Sequence, residues 1–386
     1  MALLALLLIE GGLYALFIAC LEATETWTLL ALGAGIALLI AVVRWVSWVE
    51  EWLFALFGHH RVAALLILGL FALTFPFFLR TSPYWIFVVT LGLIYGMIAL
   101  GLNLQLGTAG VINLAGAAFS GIGAYTVGLL TVRVGLPVFA AFLLGPVVAM
   151  LIGALLFVPI LKTRGHYLAL VTIAFVFIFN ILVNNLAFTG GPQGIKNIPT
   201  VELFGHLFTR SPVLFGVALP FYANFFYSAL LLISLAGWAV WRLHNSWVGL
   251  TLNTVRDDET VAKCFGVSIA RWKLLAFSLG NVLIGLGGAF YAVMVGFIAP
   301  ANFTFGDSLI MVSIVILGGL DSIPGVLVAA MLLILLPERF RFLHEYRLFL
   351  YGVAIVTMLL VRPHGLWPSG IRRYGLHPGT SAGSPP

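Results

Sequence analysis

The sequence predicts an all-α polytopic membrane protein, and three observations carry that reading. Of 386 residues, 62% are hydrophobic and 8% charged, with a mean hydropathy of +1.14. An ordinary soluble domain has roughly 25% charged residues. Several apolar runs reach the ~20 residues needed to cross hydrocarbon, and residues 81–132 hold no charged side chain. The runs are continuously apolar, whereas outer-membrane barrel strands alternate with period two, so helices are predicted in place of strands. The 42 glycines fit a tight bundle, because small residues let helix backbones approach where lipid supplies no hydrophobic drive between them.

About twelve spans follow in chain order: residues 1–20, 27–43, 62–79, 84–106, 108–132, 136–161, 167–187, 221–241, 271–298, 307–320, 324–337 and 348–361. The first has no basic n-region and no small-residue cleavage site, so it reads as a retained span. The 307–320 and 324–337 pair is short and has Gly318, Gly319, Pro324 and Gly325 at its turn, which predicts tilted or broken helices. TGGPQGI, residues 189–195, lies in the long connection 188–220 and forces turns. Residues 369–386 are polar and turn-rich, a disordered tail.

Lys and Arg collect in cytoplasmic loops. With the charged stretch around residue 256 inside, eight spans precede it and four follow, which puts both termini in the cytoplasm beside Arg372 and Arg373. Arg44, Arg61, Lys162 and Arg164 then lie inside and Glu22 and Glu25 outside. The segment 338–347, with Arg339, Arg341 and Arg347, conflicts with that count unless it lies at the interface. Trp45, Trp48 and Trp52 suit the headgroup zone.

The chain has few candidates for chemistry of its own. It contains no Gly-Lys dipeptide and so no Walker A phosphate loop. Cys20 and Cys264 form no framework. His59 and His60 point about 100° apart on a helix and cannot share a metal from one face, so no metal site is predicted. Glu10 is the one clear intramembrane acid, read as snorkelling near a helix end or neutral in packing. The +6 net charge reflects loop bias and implies no nucleic-acid partner.

Two regions stand out. Asn103, Gln105, Asn113, Ser120, Tyr125 and Thr126 lie in a Gly/Ala matrix. Such residues serve either helix-to-helix bonding worth about 0.6–2 kcal/mol each or a mildly polar path for a solute. The stretch 245–267 crowds Arg256, Asp257, Asp258, Glu259 and Lys263 into eight positions. Glu259 and Lys263 are spaced for an i, i+4 helical pair, Asp257 and Asp258 sit at a predicted helix N-terminus, and Val248, Leu252 and Val255 share a face. Gly266 predicts the stop. The stretch is either a solvated helix without a partner or a docking element with a small-residue patch at Ala262 and Gly266.

Residues 84–368 resemble the permease subunits of branched-chain amino acid ABC importers, of the LivM type. The resemblance rests on GLNLQLGTAGVINLAGAAFSGIGAY at 101–125, TRGHYLALVT at 163–172, TGGPQGI, RDDETVAKCFGV at 256–267, LGGLDSIPG at 317–325 and RPHGL at 362–366, in that order. Departures from the family pattern fall at Gly116, Thr251, Asn253 and Asp321. The resemblance implies an inner-membrane permease with a type II-like ABC importer bundle at 84–368, a coupling loop at 242–270, and extra helices at 1–83. It implies a second permease of the LivH type, two ATPase subunits that use ATP, and a binding protein outside the membrane. This chain would be no enzyme and hold no cofactor. Asn103, Gln105, Asn113, Ser120 and Tyr125 would line the substrate pathway, and Arg256, Asp257, Glu259, Ala262 and Gly266 would couple to the ATPase. Urea, short-chain amides or other amino acids are alternative cargoes, and a stand-alone carrier or channel is a more distant alternative.

Overall fold

The computed structural model describes residues 2–22, 61–160, 167–200, most of 202–339, and isolated positions between 346 and 367. Its helices run, in chain order, α1 Ala2–Glu22, α2 Arg61–Phe78, α3 Pro83–Asn103, α4 Gly116–Val132, α5 Val138–Ile160, α6 Tyr167–Asn185 and α7 Tyr222–His244. Then come α8 Trp247–Asp257, α9 Glu259–Cys264, α10 Ile269–Val295, α11 Phe305–Gly318 and α12 Ile323–Arg339. Ten of the twelve predicted spans fall on helices. Residues 27–43 lie outside the described residues, and 348–361 is described only at isolated positions. Among the described residues, six helical segments are long and apolar enough to cross a membrane, so the chain is an all-α polytopic membrane protein. Within 186–221 the backbone also forms two antiparallel ladders of two residues per strand, Glu202–Leu203 with His206–Leu207 and Val213–Leu214 with Val217–Ala218.

The chain divides into two compact units. One comprises Met1–Phe87 with Ser211–Tyr227 and the other Val88–Arg210 with Ser228–Pro386. In the first, Tyr14 of α1 stacks on Phe71 of α2 with ring centroids 4.8 Å apart, Phe75 stacks on Phe226, and the Tyr227 hydroxyl donates to the Leu73 carbonyl. Glu10 lies in the middle of α1 and is buried. That removes the snorkelling reading and leaves packing. His59, His60 and Trp45, Trp48 and Trp52 lie outside the described residues.

In the second unit α10 is the central helix, and backbone proximity explains its glycines. A Cβ at Gly288 would collide with the Ser120 carbonyl of α4, and one at Gly123 would collide with the Gly285 carbonyl of α10. Small residues therefore let α4 and α10 cross at backbone contact. Phe277 of α10 stacks on Phe157 of α5 at 4.5 Å and meets Phe119 of α4 edge-on.

One predicted boundary shifts. The expected span at 108–132 begins at Gly116, because α3 passes into a π-helical turn, Leu104–Thr108. That turn ends at Gly110, where φ is +66° and where the Val111 amide bonds back to the Gln105 carbonyl at 2.8 Å. The extended segment 111–115 then leads into α4. The glycines of TGGPQGI do turn the chain, with φ of +85° at Gly190 and +67° at Gly194. Ile195 pairs with Ile298 in an antiparallel bridge, which ties this loop to the α10–α11 connection. Thr304 and Asp307 form a capping box at the start of α11.

Candidate functional site

The π turn offsets the α3 backbone and turns a run of polar side chains inward; such bulges recur at functional sites. Gln105 is fully buried. Its Nε2 donates to the Phe277 carbonyl at 2.8 Å and to Asn281 Oδ1 at 3.1 Å, and its Oε1 accepts from Asn113 Nδ2 at 2.7 Å. Asn113 Oδ1 in turn accepts from the Ala115 amide. Gln105, Asn113 and Asn281 thus form an uncharged amide chain joining the π turn, the 111–115 segment and α10. Asn281 escaped the sequence reading, because one amide in the glycine-rich α10 has no local signal.

The other predicted pathway residues sit elsewhere. Asn103 is buried, and its Oδ1 accepts from the Asp321 amide at 2.8 Å. The Ser120 hydroxyl is engaged within α4 by the Ala117 carbonyl. Tyr125 is buried edge-on between Phe179 and Phe303, and its hydroxyl has no hydrogen-bond partner within the described residues. The Thr126 hydroxyl bonds back to the Ile122 carbonyl. Four of the five pathway candidates therefore divide into an amide seam of Gln105 and Asn113, a neighbouring polar cluster around Asp321 that includes Asn103, and an aromatic patch at Tyr125, while Ser120 turns back on its own helix.

That cluster joins four elements. Thr108 Oγ1 of the π turn donates to Asp321 Oδ1 at 2.8 Å and lies 2.9 Å from His244 Nε2 at the end of α7. The single hydroxyl proton of Thr108 goes to Asp321, so His244 Nε2 carries the hydrogen of its contact with Thr108. His244 Nε2 is also 3.4 Å from Asp321 Oδ1. Arg256 reaches in from α8, with Nη1 2.5 Å from the Gly107 carbonyl and 3.9 Å from Asp321 Oδ2. Asp321 occupies the turn between α11 and α12 with φ +66°. The turn is clasped from beyond α12: the Leu366 and Trp367 amides donate to the Leu317 and Gly318 carbonyls at 2.9 and 3.2 Å. His244 and Thr108 escaped the sequence reading, since they lie 136 residues apart and each resembles an ordinary helix-end polar residue.

The charged island differs from its expected form. It is two helices, broken at Asp258, whose side chain caps α9 by accepting from the Thr260 and Val261 amides at 2.7 and 3.1 Å. Asp257 consequently lies at the C-terminus of α8, not at a helix N-terminus, and pairs with Arg256 Nε at 3.1 Å. Glu259 bonds Lys273 of α10 instead of Lys263. Leu252, Val255 and Ala262 face inward, and Ala262 is fully buried, so the apolar surface the island presents comes from Trp247 and Leu250 on α8 and from Val261 and Phe265 on α9, the last 79% exposed. Gly266 ends α9 in the left-handed region at φ +76°, and a Cβ there would meet no neighbour.

Residues 84–359 match the family described as branched-chain amino acid transport system, permease component. The chain is 36% identical over 319 residues to the high-affinity branched-chain amino acid transport system permease protein LivM of Salmonella typhimurium, covering 79% of this chain and 74% of that protein. It is also 36% identical over 322 residues to LivM of Escherichia coli, covering 80% and 74%. It is 23% identical over 326 residues to a probable LivM of Methanocaldococcus jannaschii, covering 71% and 90%. No solved structure matches. The motifs that meet at the π turn, the island and the α11–α12 turn are thus carried by a chain that belongs to the branched-chain amino acid transport permease family.

Proposed function

We propose that this chain is one transmembrane subunit of an ATP-driven importer for leucine, isoleucine and valine in the bacterial inner membrane. It spans the bilayer with about twelve helices in a type II-like bundle at 84–368, with residues 1–83 as appended helices. It works beside a second, LivH-type permease, two ATPase subunits and an external binding protein, and binds no cofactor itself.

The observation that carries the reading is the bond from Arg256 to the Gly107 carbonyl. It connects the charged island to the π turn that holds Gln105, so motion of one displaces the other. In this reading Arg256, Asp257, Glu259 and Gly266 belong to the coupling element, with Phe265 and Val261 as the exposed apolar face of α9 and Ala262 as the inward contact that holds it. The pathway residues are Asn103, Gln105, Asn113, Ser120 and Tyr125. Amides suit a zwitterionic cargo because they offer both donors and acceptors without a buried countercharge, and buried amides released from one another can re-pair with the solute at little net cost. Alternating access then consists of opening the amide seam from one side at a time.

The test is uptake by the complete complex in proteoliposomes, with leucine, urea and a short-chain amide as separate cargoes. ATP-dependent leucine uptake with no urea or amide uptake is expected; urea or amide uptake without leucine uptake overturns the cargo assignment. The chain purified alone is expected to hydrolyse no ATP, and turnover without a copurifying ATPase overturns the division of labour.

A further inference from the structure

We propose that Asp321 is the positioning residue through which movement of the island reaches the transmembrane helices; this rests on the importer reading. Two features of Asp321 are costly. It holds a left-handed φ of +66°, a region that favours glycine although Asp enters it more readily than most residues with a Cβ, and it buries a carboxylate, which needs partners. Its contacts go to separate elements. The Asp321 amide goes to Asn103 on α3, Oδ1 to Thr108 on the π turn and to His244 on α7, and Oδ2 faces Arg256 of the island.

Because Arg256 Nη1 serves both the Gly107 carbonyl and the neighbourhood of Oδ2, withdrawal of α8 removes two things at once. The π turn loses a donor, and the buried carboxylate loses its cationic neighbour. A buried charge deprived of its partner is strongly destabilised, so the carboxylate must move or re-pair. Its movement acts on Thr108, His244 and the α11–α12 turn together. A directional network of this kind changes in a discrete step, which a permease needs if island motion is to open one side and close the other.

The geometry supplies a clean variant. Glycine adopts φ +66° without strain, so Asp321→Gly deletes the carboxylate while the turn keeps its path. In the reconstituted complex, Asp321→Gly is expected to lower the number of substrate molecules moved per ATP by about tenfold, within the usual range of coupling energies. Asp321→Asn, which keeps an acceptor oxygen for Thr108, should fall between. Arg256→Ala should lower the ratio in the wild-type background and cost less in the Asp321→Gly background, where only its bond to the Gly107 carbonyl remains to be lost. A wild-type ratio in Asp321→Gly, or losses that multiply in the double variant, overturns the proposal. If Asp321→Gly fails to assemble, the same cycle on Asp321→Asn decides. A wild-type complex whose ATP hydrolysis drives no uptake overturns the importer reading and the proposal with it, whereas a coupled wild type with an indifferent Asp321→Gly overturns the proposal alone.

Discussion

The crossing of α4 and α10 and the cluster around Asp321 lie in one unit, yet they are held by opposite means. At the crossing, Gly123, Gly285 and Gly288 bring two backbones into contact, and the attraction is dispersion summed over many small contacts, with no preferred direction beyond shape. Around Asp321 a few hydrogen bonds, each with one geometry, join the π turn, α3 and the island, although Gly107 also lies at backbone contact with Asp321. At the crossing backbone meets backbone, with no side chain between to give way. The cluster can re-pair, because Arg256 already faces two acceptors, the Gly107 carbonyl and Asp321 Oδ2. The difference assigns rigidity to the first and rearrangement to the second.

The largest break expected is at the crossing. Gly288→Val places a Cβ against the Ser120 carbonyl, and overpacking costs about 1–3 kcal/mol even where side chains can give way. Here a backbone would have to give, so the yield of monodisperse membrane-inserted protein should collapse. Normal yield would show that α4 and α10 can separate.

Next is Gly266. Both Gly266→Ala and Gly266→Trp bear the left-handed penalty of roughly 1–2 kcal/mol, and a Cβ at this position meets no neighbour in this chain. The alanine variant should keep the ATPase through purification and the tryptophan variant should lose it. If Gly266→Trp retains both association and uptake, the stretch 246–266 is not the docking element.

The amide seam should respond less. Gln105→Leu strands Asn113 Nδ2 and Asn281 Oδ1, each able to cost about 1–3 kcal/mol unless it re-pairs, or nearer 0.6 kcal/mol in a membrane. Uptake by Gln105→Leu, Asn103→Leu and Asn113→Leu should fall while the complex stays assembled. Normal uptake in all three would make the amides structural glue, like the crossing. The smallest effect is expected for Tyr125→Phe, which deletes a buried hydroxyl without a partner among the described residues. The Tm should stay the same or rise slightly, and a fall would reveal a bond made in another conformation.

The same contrast explains what could be read in advance. Helices were legible because a continuous apolar run in lipid leaves the backbone no other way to satisfy itself, and Gly266 and TGGPQGI were legible because glycine at a turn has a local cause. The π turn was not, since LNLQLGT has no proline to mark an interruption and its shift is fixed by partners on α10. The break at Asp258 hid inside a charged run with no Gly or Pro, though an acid followed by Glu259 and Thr260 is a serviceable cap. Asp257 ends a helix instead of starting one, and Glu259 bonds Lys273 instead of Lys263, because the periodicity of one helix does not carry across the break at Asp258. His244, Thr108 and Asp321 were brought together by the tertiary fold, over separations that no window of sequence spans. Arg256 was legible as an island residue, but its inward reach was not.

The clasp on α11 has a consequence for wetting. A helix ends with carbonyls that lack intrahelical partners and ordinarily turn to water. Here the Leu317 and Gly318 carbonyls are taken by the Leu366 and Trp367 amides, and Gly365 at φ +84° lets that strand pass so close to Gly319 that a side chain would be excluded. The α11–α12 turn therefore carries its own substitute for solvent at these two carbonyls. Movement of the turn together with residues 365–367 would leave these two carbonyls satisfied, so their hydration need not change.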